Sequence, residues 1–414
     1  MCLSMVSSSP RHRHSPFRSY LVRNDGTSVG LAGSRSGSGV AIFTSRTTAS
    51  RVMATARILF LVNGLGLGNS TRCHAVIQRL LDYSAEIQVV TSGNGLWYFQ
   101  SVPGIAQLHE IDSLYYGVKD GRISIVRTLT AIADFAAILR RNTEKIGRIL
   151  LEWRPDVVVT DSVYTFRPFK RAGIPFVALN NADIVHESYR RFRHRPRSVQ
   201  AQFWCVEEPD YLFHRLIPDL VISPTLDPSL PEVGGNVRRV GPIVRRGFSP
   251  AAARSPVNCV LVMLSGSRFG SPVVFNRTDW PFEIEVVGRP VPPNWDGGDR
   301  IRFHGKLLDN RALVEKADMV VVNGGFSAVS ESFSMRKPLV VIPVPNHAEQ
   351  WINGRTIEHL GVGTSAQEAD LEKVLAAAAQ QVERFHEGFR ALGEIPDGAA
   401  QAAKLIVSMV TSRS

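Results

Sequence analysis

The sequence predicts an α/β protein built as two doubly wound halves. Three observations carry this. Short, nearly continuous apolar runs, such as residues 57–62 and 156–160, read as parallel strands buried on both faces. These runs alternate with segments of helical spacing, the pattern of strand–helix–strand layers. The chain also opens twice in the same way, with an apolar strand, a glycine loop and a helix, first at Arg57 and again at Asn258.

In order, the first half begins with a strand over 57–62, a glycine loop and a helix over 70–81. Residues 87–91 form the second strand, and 123–151 have helical spacing. Residues 156–160 form a strand that ends at Asp161, and 174–179 and 220–223 are further strands. Residues 186–197 break the pattern with arginines, histidines and aromatics. Residues 224–240 are rich in Pro, Gly and Asn and read as the linker. This divides the chain into a tail of residues 1–52, a first domain of 53–237 and a second of 238–414. In the second domain, strands are expected at 258–264, 283–287, 301–303, 319–322 and 339–342, with helices at 327–335, 349–360 and 370–381.

A chain of 414 residues is long enough for two domains with separate cores. A hydrophobic content of 44% and a charged content of 21% are those of an ordinary globular protein. Cys2, Cys73, Cys205 and Cys259 are far apart and form no C-x-x-C or Cys/His cluster, so neither a metal site nor a disulfide framework is expected. A reducing compartment suits them. The net charge of +11 is largely a property of the tail, where seven arginines against Asp25 supply six of those charges. Nucleic-acid binding by the folded part is therefore not expected. No apolar run reaches the roughly 18 residues of a membrane span. The tail is rich in Ser, Arg and Gly and has the composition of a disordered segment. It suits an organellar transit peptide, or translation that starts at Met53. The expected location is the cytoplasm, peripheral to the inner face of a membrane, or an organelle if the tail is a transit peptide.

The most informative segment is Asn323-Gly324-Gly325-Phe326-Ser327-Ala328-Val329-Ser330-Glu331. It places bare backbone N–H groups at a helix N-terminus, where a diphosphate sits well. Glu331 lies one turn beyond Ser327 on the same helix face, and a carboxylate there can take both hydroxyls of a ribose. Glu349-Gln350, which opens the next helix, joins an acceptor to an amide that can read sugar hydroxyls. Ser265-Gly266-Ser267-Arg268 ends the first strand of the second half and suits phosphate contact. Phe303-His304 ends another strand, at an edge that could hold a base. In the first half, Gly64, Gly66 and Gly68 alternate. The dinucleotide fingerprint would need glycine at Asn69 and an acid in place of Thr91 or Ser92, so the loop shapes a cleft rather than an NAD site. Asp161, at the same sheet edge, could accept a proton or hold a hydroxyl. The basic, aromatic stretch of residues 189–197 could meet an anionic lipid surface.

Gly324-Gly325-Phe326-Ser327 with Glu331, then Pro338, Pro343, Glu349-Gln350 and Asn353, resemble the donor-site signature of GT-B glycosyltransferases. The nearest families are family 28, which includes the N-acetylglucosaminyl transferase of peptidoglycan synthesis, and the UDP-glycosyltransferases. The glycine loop with Arg72, and residues 155–161, resemble the N-terminal half of the same family. The resemblance implies two Rossmann-like domains facing a central cleft, with a final helix near 399–410 returning to the first domain. It implies metal-independent, inverting transfer of a hexosyl group such as N-acetylglucosamine. The donor would be a UDP-sugar with no further cofactor, and the acceptor a saccharide, lipid or small molecule. Carried over, Glu331 would bind ribose, Gly324–Ser327 with Gly266, Ser267 and Arg268 the diphosphate, the Phe303–His304 edge the base, and Glu349 with Gln350 the sugar. Gly66 and Gly68 would line the cleft opposite. One departure stands out: Asn69 occupies the place of the family's histidine, and an amide cannot act as a general base. The proton then falls to Asp161 or His186. The alternatives are a nucleotide-sugar-binding regulatory subunit and a UDP-sugar 2-epimerase on the same fold.

Overall fold

The computed structural model describes residues 55–112, 118–119, 122–123, 132–264, 273–293, 295 and 299–412. The first half contains β1 (Arg57–Val62), β2 (Glu86–Thr91), β3 (Ile105–Glu110), β4 (Val118–Lys119), β5 (Arg122–Ile123), β6 (Val157–Asp161), β7 (Phe176–Leu179), β8 (Leu220–Pro224) and β9 (Val237–Val240). All but β4 and β5, which form an antiparallel pair of their own, join one parallel sheet in the order β3-β2-β1-β6-β7-β8-β9. Its helices are α1 (Leu67–Leu80), α2 (Asn94–Phe99), α3 (Ile132–Glu152), α4 (Arg167–Ala172), α5 (Ala182–Arg191), α6 (Arg197–Gln202) and α7 (Glu208–Leu216). A π-helical turn over Phe203–Glu207 joins the last two.

The second half contains β10 (Cys259–Met263), β11 (Glu283–Val287), β12 (Ile301–Phe303), β13 (Met319–Val322), β14 (Leu339–Val341) and β15 (Gly363–Ser365), parallel in the order β12-β11-β10-β13-β14-β15. Around them lie α8 (Arg311–Lys316), α9 (Phe326–Ser334), α10 (Ala348–His359), α11 (Leu371–Gln380), α12 (Val382–Leu392) and α13 (Gly398–Thr411). The chain is therefore two Rossmann-like domains, as the sequence predicts.

Parallel sheets need cover on both faces, and the strands show it. In β1, Ile58, Phe60 and Val62 pack with Cys73, Val76 and Ile77 of α1, while Leu59 and Leu61 point the other way, toward Ile146 and Ile149 of α3. In each sheet the strand order reverses once, between β1 and β6 and between β10 and β13. Ligands of open α/β sheets bind outside the carboxyl ends of the strands at such switch points. The two glycine-bearing turns, after β1 and after β13, lie at these two places.

The last helix crosses back. Ala399, Ala402, Ala403 and Ile406 of α13 lie on one helix face and are buried against the first sheet and α1. Asp397 caps this helix, accepting from Ala400 N at 2.9 Å, and pairs with Arg79 of α1 at 2.8 Å. Both passages between the halves run side by side. A Cβ on Gly398 would lie 1.8 Å from Gly241 O, and one on Gly241 would lie 2.4 Å from Pro396 O, so each position requires glycine.

The structure differs from the sequence reading in several elements. Residues 237–240, read as linker, form β9, which pairs with β8 from Val221↔Val237 to Pro224↔Val240, so the proposed boundary after 237 falls within a strand. Two arginines inside a four-residue edge strand hide its pattern. Ile105–Glu110 and Gly363–Ser365 are edge strands too short or too polar to register as apolar runs. The irregular basic stretch after residue 186 begins as helix α5. Of the helical spacing over 123–151, residues from 132 onward are α3, and most of the rest lies outside the described residues. Among the described residues, no helix is long and apolar enough to cross a membrane.

Candidate active site

The loop after β1 and the loop after β13 face each other. Gly64 is fixed by packing, since a Cβ there would lie 1.5 Å from Ser92 O. Gly66 has open space around it and stands as the N-cap of α1 with no capping side chain. Gly324 has φ +86, and a Cβ would meet Val341 Cγ1 at 2.8 Å and Gln350 O at 2.9 Å. Its carbonyl accepts from Asn353 Nδ2 at 2.8 Å, which joins the turn to α10. Gly325, again with open space, is the N-cap of α9, and Phe326 turns inward as a core residue. Neither α1 nor α9 carries an acid in its first turn. Two uncompensated helix N-termini thus converge. Ser327 Oγ of α9 donates to Gly68 O of α1 at 2.7 Å and closes the approach between them. Asn69 is half-buried in the first turn of α1. Gly266, Ser267 and Arg268 lie outside the described residues.

Glu331 stands one turn along α9, but it is not a free carboxylate. It is 6% exposed, and Arg245 Nε donates to its Oε1 at 2.7 Å. Burial raises its pKa, with Arg245 pulling the other way. The Arg245 guanidinium also meets Tyr98 of α2, and Tyr98 Oη lies 2.8 Å from His74 Nδ1. Burial, and then Arg245, press the His74 pKa down to about 4, so this imidazole is neutral and held away from the glycine loop. The cluster spans both halves.

Asp161 is corrected as a candidate base. It is fully buried at the end of β6, and both carboxylate oxygens are held by Arg72, Nε at 2.8 Å and Nη2 at 2.7 Å. Full burial together with a two-point pair to a permanently charged guanidinium keeps this carboxylate from being presented to a substrate. His186 is differently placed. Its Nδ1 lies 2.6 Å from Glu208 Oε2, and its ring stacks on Tyr211 at 3.9 Å. With Nδ1–H given to the carboxylate, Nε2 is the ring's acceptor.

The start of α10 meets α5 and the π-helical turn of the first half. Asn181, the N-cap of α5, donates to Glu349 Oε1 at 3.1 Å. Gln202 accepts from Ala348 N at 2.9 Å and donates to Glu207 Oε1 at 2.8 Å. Burial, with Glu349 beside it, pushes Glu207 up to about 8. Gln350 Oε1 accepts from Val344 N at 2.9 Å, which leaves its Nε2 for other partners.

The Phe303–His304 edge is only partly as expected. Phe303 packs edge-on against Trp295 at 5.4 Å. The His304 ring turns to Glu285 Oε2 at 2.6 Å, and the backbone N–H of His304 donates to Val286 O at 2.9 Å. Glu285 belongs to the one cluster of metal-ligand types among the described residues, with Cys259 and Glu283. Lys316 Nζ already sits on both carboxylates, at 2.7 Å from Glu283 and 2.6 Å from Glu285. Arg245, Glu207, Glu208, Gln202 and Asn181 were not found from sequence. Only the adjacent Glu207-Glu208 pair offered any signal.

Comparison with known proteins agrees with this geometry. A family model described as glycosyl transferase family 1 matches residues 56–220 and 240–382. An uncharacterized glycosyltransferase of Methanosarcina acetivorans is 23% identical over 328 residues, covering 74% of this chain and 84% of its own length. A protein of Natranaerobius thermophilus named UDP-N-acetylglucosamine–N-acetylmuramyl-(pentapeptide) pyrophosphoryl-undecaprenol N-acetylglucosamine transferase is 23% identical over 386 residues, covering 78% of this chain and 100% of its own. A UDP-glucosyltransferase from Polygonum tinctorium, solved in a complex, has the same fold with TM-score 0.62 at 14% identity, covering 86% of this chain and 99% of the other. With two Rossmann-like domains, switch-point loops face to face and a family match over most of both, the chain belongs to glycosyl transferase family 1 and is a GT-B glycosyltransferase.

Proposed function

We propose that this enzyme moves a hexosyl group from a UDP-sugar to an acceptor hydroxyl, with inversion and without a metal. The observation that carries the reading is the convergence of two uncapped helix N-termini at the switch points, bridged from Ser327 to Gly68. Such a place stabilises a diphosphate in the ground state and more so as it leaves. Gly324, Gly325 and Ser327 would hold it, and Gly266, Ser267 and Arg268 are further phosphate contacts on the sequence resemblance alone. Ribose hydroxyls would come to Glu331 Oε2, since Arg245 takes Oε1. The base would lie at the Phe303–His304 edge, against main chain rather than the histidine ring. Glu349 and the free Nε2 of Gln350 would read the sugar. His186, oriented by Glu208, would accept the proton of the attacking hydroxyl in place of Asn69 and Asp161.

The acceptor is a saccharide, a lipid or a small molecule. A peripheral position at an anionic membrane is supported by Arg190, Arg193, His194 and Arg197, all exposed, and by Trp204, which is 60% exposed. Incubation with UDP-, GDP- and TDP-sugars, followed by detection of donor hydrolysis or transfer, tests the reading. Turnover confined to a UDP-sugar is expected. Absence of turnover and of UDP binding would overturn it.

A further inference from the structure

Two consecutive residues of the first passage between the halves are tied in opposite directions. Arg246 is tied to the first half: its backbone N–H donates to Gln78 Oε1 of α1 at 2.9 Å, and its guanidinium pairs with Asp82 just beyond that helix. Arg245 is tied to the second half: its Nε donates to Glu331 Oε1 of α9 at 2.7 Å. Arg245 and Glu331 are 9% and 6% exposed, so little water competes for either charge. The guanidinium lies over the Phe248 ring at 5.1 Å, and its Nη2 meets Asn310 Oδ1 at 3.5 Å. Packing on its face and hydrogen bonds at its edge thus fix where Arg245 stands. The second oxygen of Glu331 makes no hydrogen bond among the described residues.

A carboxylate accepts from two neighbouring hydroxyls best when it is ionised and turned toward them. Burial works against the charge, and a touching guanidinium restores it. The other charged or titratable groups that act on Glu331 are Asp309, Arg311 of α8 and Tyr98 of α2. Among the described residues, Arg245 is the group hydrogen-bonded to it. The rigid guanidinium also fixes the rotation of the carboxylate, because one oxygen is tied and the other must face away. We propose that Arg245 is a positioning residue of the donor site, which sets Glu331 Oε2 for the ribose hydroxyls and makes that grip depend on where the first half holds Arg246. The inference rests on the reading of Glu331 as the ribose carboxylate. A tie that merely held the halves together would weaken every ligand of the cleft alike, whereas a positioning role acts on the ribose hydroxyls.

Calorimetry on the full chain with UDP and with 2′,3′-dideoxy-UDP tests this, since the second ligand keeps the base and diphosphate but lacks both ribose hydroxyls. The native chain should prefer UDP by about tenfold or more, the worth of hydrogen bonds to a charged group. In Arg245→Gln the preference should nearly vanish, while affinity for the dideoxy ligand stays. What preference remains should grow more steeply with pH than in the native chain, because burial then holds a proton on Glu331 unopposed. Arg245→Lys keeps the charge without the guanidinium fork and should fall between the two. Gln78→Ala combined with Asp82→Asn frees Arg246 and should lower the preference of the native chain but not of Arg245→Gln. A full preference in Arg245→Gln overturns the proposal, as does an equal loss for both ligands. Should that variant not fold, Arg245→Lys decides, and a native preference in it overturns the proposal. No change on freeing Arg246 overturns the dependence on the first half. If the native chain binds both ligands equally, the ribose reading of Glu331 falls and the positioning role with it; if UDP does not bind, the nucleotide-sugar reading falls as well.

Discussion

The turn after β1 and the turn after β13 share a plan and differ in what surrounds it. Each leaves a parallel strand at a switch point, passes through glycines and enters a helix with a bare N-terminus. After β13 the nearby carboxylate, Glu331, lies on the helix itself and is bound on one oxygen only. After β1 the nearby carboxylate, Asp161, comes from the neighbouring strand and is bound on both. The first arrangement leaves a polar group for a ligand. The second spends its charge on holding α1 to β6. The turn after β13 thus keeps one carboxylate oxygen without a hydrogen bond among the described residues, whereas the carboxylate beside the turn after β1 is engaged on both.

Substitutions can break this contrast, and the largest effect is expected in catalysis. His186→Ala should lower kcat by about 10²–10⁴-fold, the usual contribution of a general base, with UDP affinity by calorimetry little changed. Equal turnover in this variant would return the proton to another group. Next comes Arg72→Met, which leaves Asp161 buried without its partner and should cost about 3–5 kcal/mol of stability in a denaturant melt. A cost near zero would show that the pair is not needed to hold α1.

The glycines separate within a single loop. Gly64→Ala drives a Cβ into the Ser92 carbonyl and should destabilise the chain by about 3 kcal/mol or more. Gly66→Ala meets nothing within 4 Å and should leave the melting temperature unchanged while weakening ligand binding.

A smaller effect concerns pH. Because the folded-state pKa of Glu207 is raised, the native chain holds a proton there that the unfolded chain releases. The stability this gives is complete below the ordinary carboxylate range and is lost as pH rises through about 8. Glu207→Gln should flatten that slope. His74 has the opposite sign: its pKa, lowered to about 4, makes stability fall as pH drops below the ordinary imidazole range. The smallest change is Ser327→Ala, which removes one hydrogen bond worth about 0.5–1.5 kcal/mol between the halves.

The parts legible in the sequence were those written locally. A strand, a glycine turn and a helix with a carboxylate one turn along occupy consecutive residues, so Gly324 to Glu331 and Glu349-Gln350 could be placed before any fold was known. The partners could not. Arg72 lies 89 residues from Asp161, and Arg245 lies 86 from Glu331. No spacing rule connects them, because the pairing is made by sheet order and by the passage between the halves. Asp161 read as available for that reason, although its strand and sheet edge were assigned correctly. β9 escaped because a short edge strand with one exposed face need not be apolar.

The glycine pair at Gly241 and Gly398 has a mechanical consequence. With both passages pressed backbone to backbone, the crossing between the halves leaves no room for a side chain at either glycine. A side chain at either glycine would have to push the two passages apart, so it would disturb the fit of the halves without touching any residue of the glycine loops.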